Sequence, residues 1–275
     1  MTVQSYQAIP ADQDAVTYAY GPDSSMALGV EPGRIDHFTI DDSTVYPGTT
    51  RSVWVHAPAG HDSRHPSVVM VFNDGWWYLD PEGDVRAGVV LDNLAARHAV
   101  PPVIGVFVDP GIRPAAEIPK NRNVEYDAGD DRYATFLIDE VLPRVAETHA
   151  LAARDHGICG GSSGGNAAFT AAWQRPDVFR RVISFNPSFA QMPGGNPYPT
   201  LLRDGEKRDL RILLHAAHRD IGWNDPDGNW FAEALETAAA LTRTGHDLRL
   251  VVGDGGHSPN HGGVLLPDAL RWLWR

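Results

Sequence analysis

Six residues in the middle of the chain, Gly160-Gly161-Ser162-Ser163-Gly164-Gly165, have the types and spacing of a nucleophilic turn. A serine placed at the tip of a tight strand-to-helix turn adopts a strained backbone. It needs small residues two before and two after it, the pattern G-x-S-x-G. The helix that follows points its N-terminal dipole at the serine, and the amide after the serine can hold an oxyanion. Here Ile158-Cys159 reads as a strand end, and Asn166-Ala167-Ala168-Phe169-Thr170-Ala171-Ala172-Trp173 reads as a helix. The plain alternative is a glycine-rich turn with a capping serine. Two registers fit: Ser162 between Gly160 and Gly164, or Ser163 between Gly161 and Gly165. The strand favours Ser162, because Ser163 would put Gly160 at a strand-core position and Asn166 where the helix packs closest. In that register Ser163 supplies an oxyanion amide.

A serine hydroxyl needs a base, and the base needs an orienting acid. In chain order Ser, acid, His, the base candidate is His257, first in Gly255-Gly256-His257-Ser258-Pro259-Asn260-His261 after the last strand. His261 is a candidate for the pocket wall. A zinc pair at His257 and His261 needs a helix and a third ligand, and the prolines and glycines argue against a helix. The acid should follow the strand Arg211-Ile212-Leu213-Leu214. Asp220 lies just beyond it, with Asp225 and Asp227 as fallbacks. Each could equally be a turn aspartate. His215 and His218 are open to a metal or a core reading.

The second oxyanion donor is expected from Asn73-Asp74-Gly75-Trp76-Trp77-Tyr78, at an amide near Trp76. The aromatic run suggests a binding wall at Trp76 and Trp77 with Asp74 beside it, or one or two of the rings turn inward as core. Asn123 and Glu125, in Asn121-Arg122-Asn123-Val124-Glu125-Tyr126, are candidates for substrate contact. An Arg122–Glu125 structural pair is the alternative.

These loops need a frame. Residues 36–40 and 52–56 alternate like a half-buried antiparallel pair, with the turn signal Pro47-Gly48 between them. Apolar strands follow at 68–72, 103–108, 157–159, 182–185, 211–215 and 248–252. Helical patterns fall at 85–98, 131–146, 164–174, 229–244 and 264–274. Such alternation predicts an α/β fold, a mostly parallel sheet with helices on both faces. Residues 1–34 read as an extended arm and residues 35–275 as one catalytic domain.

Bulk properties narrow the function. The 275 residues are 43% hydrophobic and 21% charged, ordinary for a globular enzyme. A net charge of −12 disfavours nucleic acid and anionic membranes as partners. The single cysteine, Cys159, allows no internal disulfide. Neither a signal peptide nor an apolar run of about 18 residues is visible, so cytoplasmic residence is the expectation. No metal or cofactor is expected, and a small molecule is the expected partner of the candidate serine.

At this point the residues resemble a family. Asp74-Gly75, Asn121-Arg122-Asn123 with Glu125-Tyr126, and Asp131-Arg132-Tyr133-Ala134 through Leu142-Pro143 are similar to the enterochelin-esterase-like branch of the α/β-hydrolases. So are Gly160 to Gly165, Arg175-Pro176-Asp177-Val178-Phe179, Asn186-Pro187-Ser188, and the stretch from Gly255 to Trp274. Related branches include esterase D-type hydrolases, feruloyl esterases and mycolyltransferases. The resemblance runs from about residue 36 to the end. It implies an α/β-hydrolase fold, a nucleophile at Ser162, a histidine at His257 and an acid at Asp220. Relatives often carry a small residue where Trp76 and Trp77 stand. The implied activity is serine carboxylic ester hydrolysis, on an aromatic or hydrophobic ester or lactone of siderophore or aryl type. Acyl transfer on the same triad and a non-catalytic binding module are the alternatives.

Overall fold

The computed structural model describes residues 16–275. Eight strands form one sheet: β1 (Arg34–Ile40), β2 (Arg51–Ala57), β3 (Val68–Asn73), β4 (Val103–Val108), β5 (His156–Gly161), β6 (Phe179–Phe185), β7 (Arg211–Ala217) and β8 (Asp247–Gly253). Their order is β1-β2-β4-β3-β5-β6-β7-β8. The pairs β1–β2 and β2–β4 are antiparallel, and all others are parallel. Phe38 faces Val53 across the first pair.

The helices are α1 (Gly75–Leu79), α2 (Ala87–Ala96), α3 (Arg122–Tyr126), α4 (Arg132–Phe136), α5 (Leu142–Ala146), α6 (Ser163–Gln174), α7 (Tyr198–Asp204), α8 (Trp230–Arg243) and α9 (Pro259–Leu273). They cover both faces of the sheet, so the central strands are apolar on both sides. On one face Val69, Val71, Ile104, Val106, Ile158 and Ile212 pack against Phe136, Val141, Phe169 and Leu241. On the other, Met70, Phe72, Phe107, Cys159, Ile183 and Leu213 pack against Val90, Leu94, Leu266 and Leu270.

Several boundaries differ from the pattern reading. The helix expected over 131–146 is interrupted by a π-turn at Leu137–Val141. Pro143 lies one turn on, and its ring cannot donate to the Asp139 carbonyl or sit against it, so the helix widens there. The last helix starts at Pro259 rather than 264, with the proline in its first turn, where no amide donor is needed. The Asp74 and Arg122 segments, read as loops, carry the one-turn helices α1 and α3, and α7 has no counterpart in the pattern.

Of the arm expected at 1–34, residues 1–15 lie outside the described residues. Residues 16–33 run along the domain outside the sheet. Asn93 binds the carbonyls of Asp23 and Ser25, and Asp23 pairs with Arg97 and Arg271. Among the described residues no helix is long and apolar enough to cross a membrane.

Candidate active site

The β5–α6 turn has the geometry that the glycine pattern demands of one register. Ser162 has φ 60° and ψ −131°, a backbone that non-glycine residues adopt at a cost, and α6 begins at the next residue. A β-carbon on Gly160 would overlap the Gly164 carbonyl, and one on Gly164 would come within 2.9 Å of Asp74 Oδ2. Gly161 is less confined, its nearest neighbour being the Tyr78 hydroxyl at 3.0 Å. Gly165 is as tight as Gly164, a β-carbon there lying 2.9 Å from the Phe185 carbonyl, so what distinguishes the registers is the positive φ, found at Ser162 and not at Ser163.

The two serines point to different surroundings. Ser162 lines a pocket, whereas Ser163 is buried and its hydroxyl donates to Asp127 Oδ2 at 2.8 Å. Asp127 also accepts from Ser188 Oγ at 2.6 Å, Asn123 Nδ2 at 2.9 Å and Asn166 Nδ2 at 3.3 Å. This buried carboxylate thus ties the β6–α7 connection, α3 and the first turn of α6 together. The amides of Ser163 and Gly164 lie in that first turn, where the helix offers no acceptor four residues back.

Across the pocket, His257 Nδ1 is 2.6 Å from Asp220 Oδ1. Asp220 is buried on the turn after β7, and His257 lies on the loop between β8 and α9. The carboxylate also accepts the Ile221 amide at 2.8 Å, which fixes its rotamer. The Trp230 ring stands edge-on to the imidazole at 5.1 Å and 86°. Neither fallback acid takes this bond, and Asp225 instead accepts the Asp227 amide at 2.9 Å.

Ser162 and His257 line one pocket of about 480 Å³, open to solvent. Its other walls include Trp77, Tyr78, Val85, Phe185 and the polar pair Asp74–Arg122. Arg122 holds the Asp74 carboxylate through Nε at 2.5 Å and Nη2 at 2.8 Å, and Nη2 also reaches the Gly161 carbonyl at 3.3 Å. Burial works against the guanidinium charge, but the Asp74 hydrogen bonds and charge outweigh it and hold the pKa above its ordinary value. Burial, then the neighbouring Cys159 and Asp74, keeps the Tyr78 phenol well above its usual range, so it stays neutral.

Four expected site residues stand elsewhere. The Trp76 amide donates to Asp109 Oδ1 at 3.0 Å, so in this state it is not open to an oxyanion. Its half-exposed ring leans on Trp54 at 5.7 Å, outside the pocket lining. Glu125 is fully buried beneath the site, held by Arg51 at 2.5 and 3.0 Å and by Asn121 at 2.7 Å, so it is a structural partner and not a substrate contact. The Arg122–Glu125 pair is likewise replaced by two pairs, Arg122–Asp74 and Arg51–Glu125. Asn123 bonds Asp127 and, at 3.1 Å, Ser163 Oγ, which leaves it behind the serine turn. His261 is fully buried on α9 with its Nε2 3.1 Å from the Val16 carbonyl.

His215 is a core histidine. Burial, then the nearby His261 and His257, pushes its pKa down to about 3. Among the described residues no group of three or more His, Cys, Asp or Glu could hold a metal ion. Sequence reasoning missed Asp127, Phe185, Val85 and Trp230, which sit in no recognisable motif. Ser188 and Asn186 do fall in Asn186-Pro187-Ser188, where the left-handed φ of 43° at Asn186 marks a special turn.

The strand order and the helix-capped turn after β5 define an α/β-hydrolase fold. A family model described as "Putative esterase" matches residues 44–271, and the chain belongs to that family. Similar solved structures include the enterobactin esterase of Shigella flexneri, at 20% identity and a TM-score of 0.72, covering 88% of this chain and 59% of that one. The chain therefore spans less than two thirds of that relative's length. A ferulic acid esterase is similar at 18% identity and a TM-score of 0.69, over 89% of this chain and 99% of the other. Another, from the anaerobic fungus Anaeromyces mucronatus, shows 19% identity and a TM-score of 0.67, over 92% of this chain and 96% of the other. At these identities the likeness is one of fold. A search of curated proteins found no match.

Proposed function

We propose that the chain hydrolyses carboxylic esters through an acyl-enzyme, with Ser162 as nucleophile, His257 as base and Asp220 as orienting acid. The observation that carries this reading is the 2.6 Å His257–Asp220 hydrogen bond facing the same pocket as a serine held at positive φ. With Nδ1 donating to Asp220, His257 Nε2 carries a lone pair. It takes the proton from Ser162 Oγ as that oxygen attacks the ester carbonyl. Asp220 stabilises the imidazolium, which then protonates the leaving alcohol. Water, deprotonated by the same nitrogen, attacks the acyl-enzyme and releases the acid. The oxyanion is held by the Ser163 amide and by a second donor from the first turn of α1. The Trp76 amide belongs to that turn and serves only if Asp109 releases it.

The apolar walls, with Trp77, Phe185 and Val85, suit an aryl or otherwise hydrophobic ester. Asp74 and Arg122 offer an acceptor and a donor to a hydroxyl on that group. The enterobactin and ferulic acid esterases named above are consistent with this class.

The test is a panel of aryl, alkyl and lactone esters on the wild type, Ser162→Ala and Ser163→Ala, with fluorophosphonate labelling. Ser162→Ala should lose labelling and hydrolysis, while Ser163→Ala keeps a substantial part of both. A dead Ser163→Ala beside an active Ser162→Ala would overturn the assignment. Product analysis with added alcohols reports any transfer.

A further inference from the structure

The loop that carries His257 is clasped on both sides by residues near the start of the chain. Upstream of the histidine, the Asp254 amide donates to the Tyr18 hydroxyl at 2.8 Å. Downstream, the Tyr18 amide donates to Asn260 Oδ1 at 2.8 Å, and Asn260 Nδ2 returns a bond to the Tyr18 carbonyl at 3.1 Å. At the next residue of α9, the His261 Nε2 lies 3.1 Å from the Val16 carbonyl, an acceptor only, so this nitrogen carries the proton. The Tyr18 ring packs edge-on to His261 at 4.8 Å and 63°. Gly255, at φ 89°, passes so close to Val16 that a β-carbon there would lie 2.9 Å from the valine Cβ. The segment is itself tethered, since the Tyr20 hydroxyl donates to the Asp84 carbonyl at 2.9 Å and the Arg86 guanidinium stacks on its ring at 4.0 Å.

None of Val16, Tyr18, Asn260 or His261 lines the pocket. Five residues separate β8 from α9. On the sheet side they are held by the Arg219 amide at the Gly255 carbonyl, 3.0 Å, and the His218 amide at the Gly253 carbonyl, 3.0 Å. Those bonds anchor only the upstream half. Without the Tyr18 side chain the Asp254 amide loses its acceptor and His261 its ring contact, so the loop around His257 is left to Asp220, the Trp230 ring and the backbone bonds of Tyr18 and Val16 to Asn260 and His261.

We propose that Val16 to Tyr20 is a positioning strap, with Tyr18 as its key residue, that holds His257 at the distance from Ser162 needed for proton transfer. This rests on His257 being the base. A strap of this kind acts on the chemical step more than on substrate binding, because Val16, Tyr18 and Tyr20 line no part of the pocket. Small misplacements of a reacting group cost large factors in rate.

The test uses the full-length protein. Tyr18→Ala removes ring and hydroxyl, and Tyr18→Phe removes the hydroxyl alone. Both are assayed for kcat and KM on an aryl ester, and for amide hydrogen exchange by mass spectrometry. Tyr18→Ala should lower kcat about tenfold or more with KM within about threefold. Exchange over 254–261 should accelerate while the central strands stay protected. Tyr18→Phe should give a smaller fall of the same kind, and it decides the matter if Tyr18→Ala does not fold. A merely structural Tyr18 would lower the melting temperature and leave kcat per folded molecule unchanged, and that result overturns the proposal. His257→Gln is run beside them. If it hydrolyses the ester at the wild-type rate, the base assignment fails by itself, whatever the Tyr18 variants do.

Discussion

Replacing Ser162 by glycine and by alanine separates strain from chemistry. Both variants lose the hydroxyl, so neither should hydrolyse an ester. They differ in the backbone. At φ 60° and ψ −131° a β-carbon is crowded by its own peptide groups, and alanine keeps that crowding. Glycine removes it. Residues held in such regions cost about 1–3 kcal/mol, and glycine loses about 0.5–1 kcal/mol more backbone entropy than alanine on folding. The difference leaves Ser162→Gly more stable than Ser162→Ala by up to about 2.5 kcal/mol. For a domain of this size that is up to roughly 10 °C in melting temperature. One residue on, the order should reverse. Ser163 opens α6 with helical geometry, and glycine there is worse than alanine by up to about 1 kcal/mol. Paired thermal melts of the four variants, followed by circular dichroism and checked by urea titration, read the sign directly. Refutation is simple: if Ser162→Gly melts below Ser162→Ala by as much as Ser163→Gly does below Ser163→Ala, the turn stores no strain at Ser162.

Two further outcomes follow from buried charge. Glu125→Gln strips the partner from Arg51, whose side chain is fully buried. Breaking such a pair by one side costs about 3–5 kcal/mol, so the urea midpoint should fall sharply while kcat per folded molecule holds; a loss under about 1 kcal/mol contradicts the burial argument. The second concerns acid. Burial pushes His215 down to about 3 and His156 down to about 4, and the Val69 amide donates to His156 Nδ1 at 3.0 Å, which requires that nitrogen unprotonated. Folded values lie below the unfolded one near 6.5, so the unfolded chain binds more protons as pH falls. The stabilisation is therefore fully present above about pH 6.5 and lost below it, at about 1.4 kcal/mol per pH unit for each histidine. From pH 8 to pH 5 the two together remove about 4 kcal/mol, and a flat urea stability over that range would show that one or both are charged in the folded protein.

The frame was legible because buried parallel strands are continuous apolar runs and their helices are amphipathic. Ser162, Asp220 and His257 stood out as candidates because each follows a strand end at the same edge of the sheet. The failures share a cause. Gly262 and Gly263 looked like loop residues, yet they lie inside α9 because no β-carbon fits: at Gly262 it would lie 2.9 Å from the Phe185 ring, and at Gly263 it would overlap the Asp84 carbonyl. A glycine needed for close packing and a glycine needed for a turn read alike in one dimension. Glu125 was matched with its neighbour Arg122, but its partner Arg51 stands 74 residues away. Asp127 gathers Ser163, Ser188, Asn123 and Asn166 from three segments, a convergence that no local spacing announces. What each hydroxyl faces, the pocket for Ser162 and Asp127 for Ser163, adds to the strand and helix flanks in favouring Ser162 as the proposed nucleophile.

The clasp between Tyr18 and Asn260 joins residues 242 positions apart in the chain. On a growing polypeptide, the early segment leaves the ribosome long before its partner is made. The sheet can assemble strand by strand as β3, β4 and β5 emerge, but the histidine loop and the helix that anchors it come last. Closure of this contact is therefore a late event in folding, delayed by the slow entropy of a very long loop. Under the proposed assignment of Ser162 and His257, a half-made chain with a formed serine turn would still lack its base and the contact that steadies the loop carrying it.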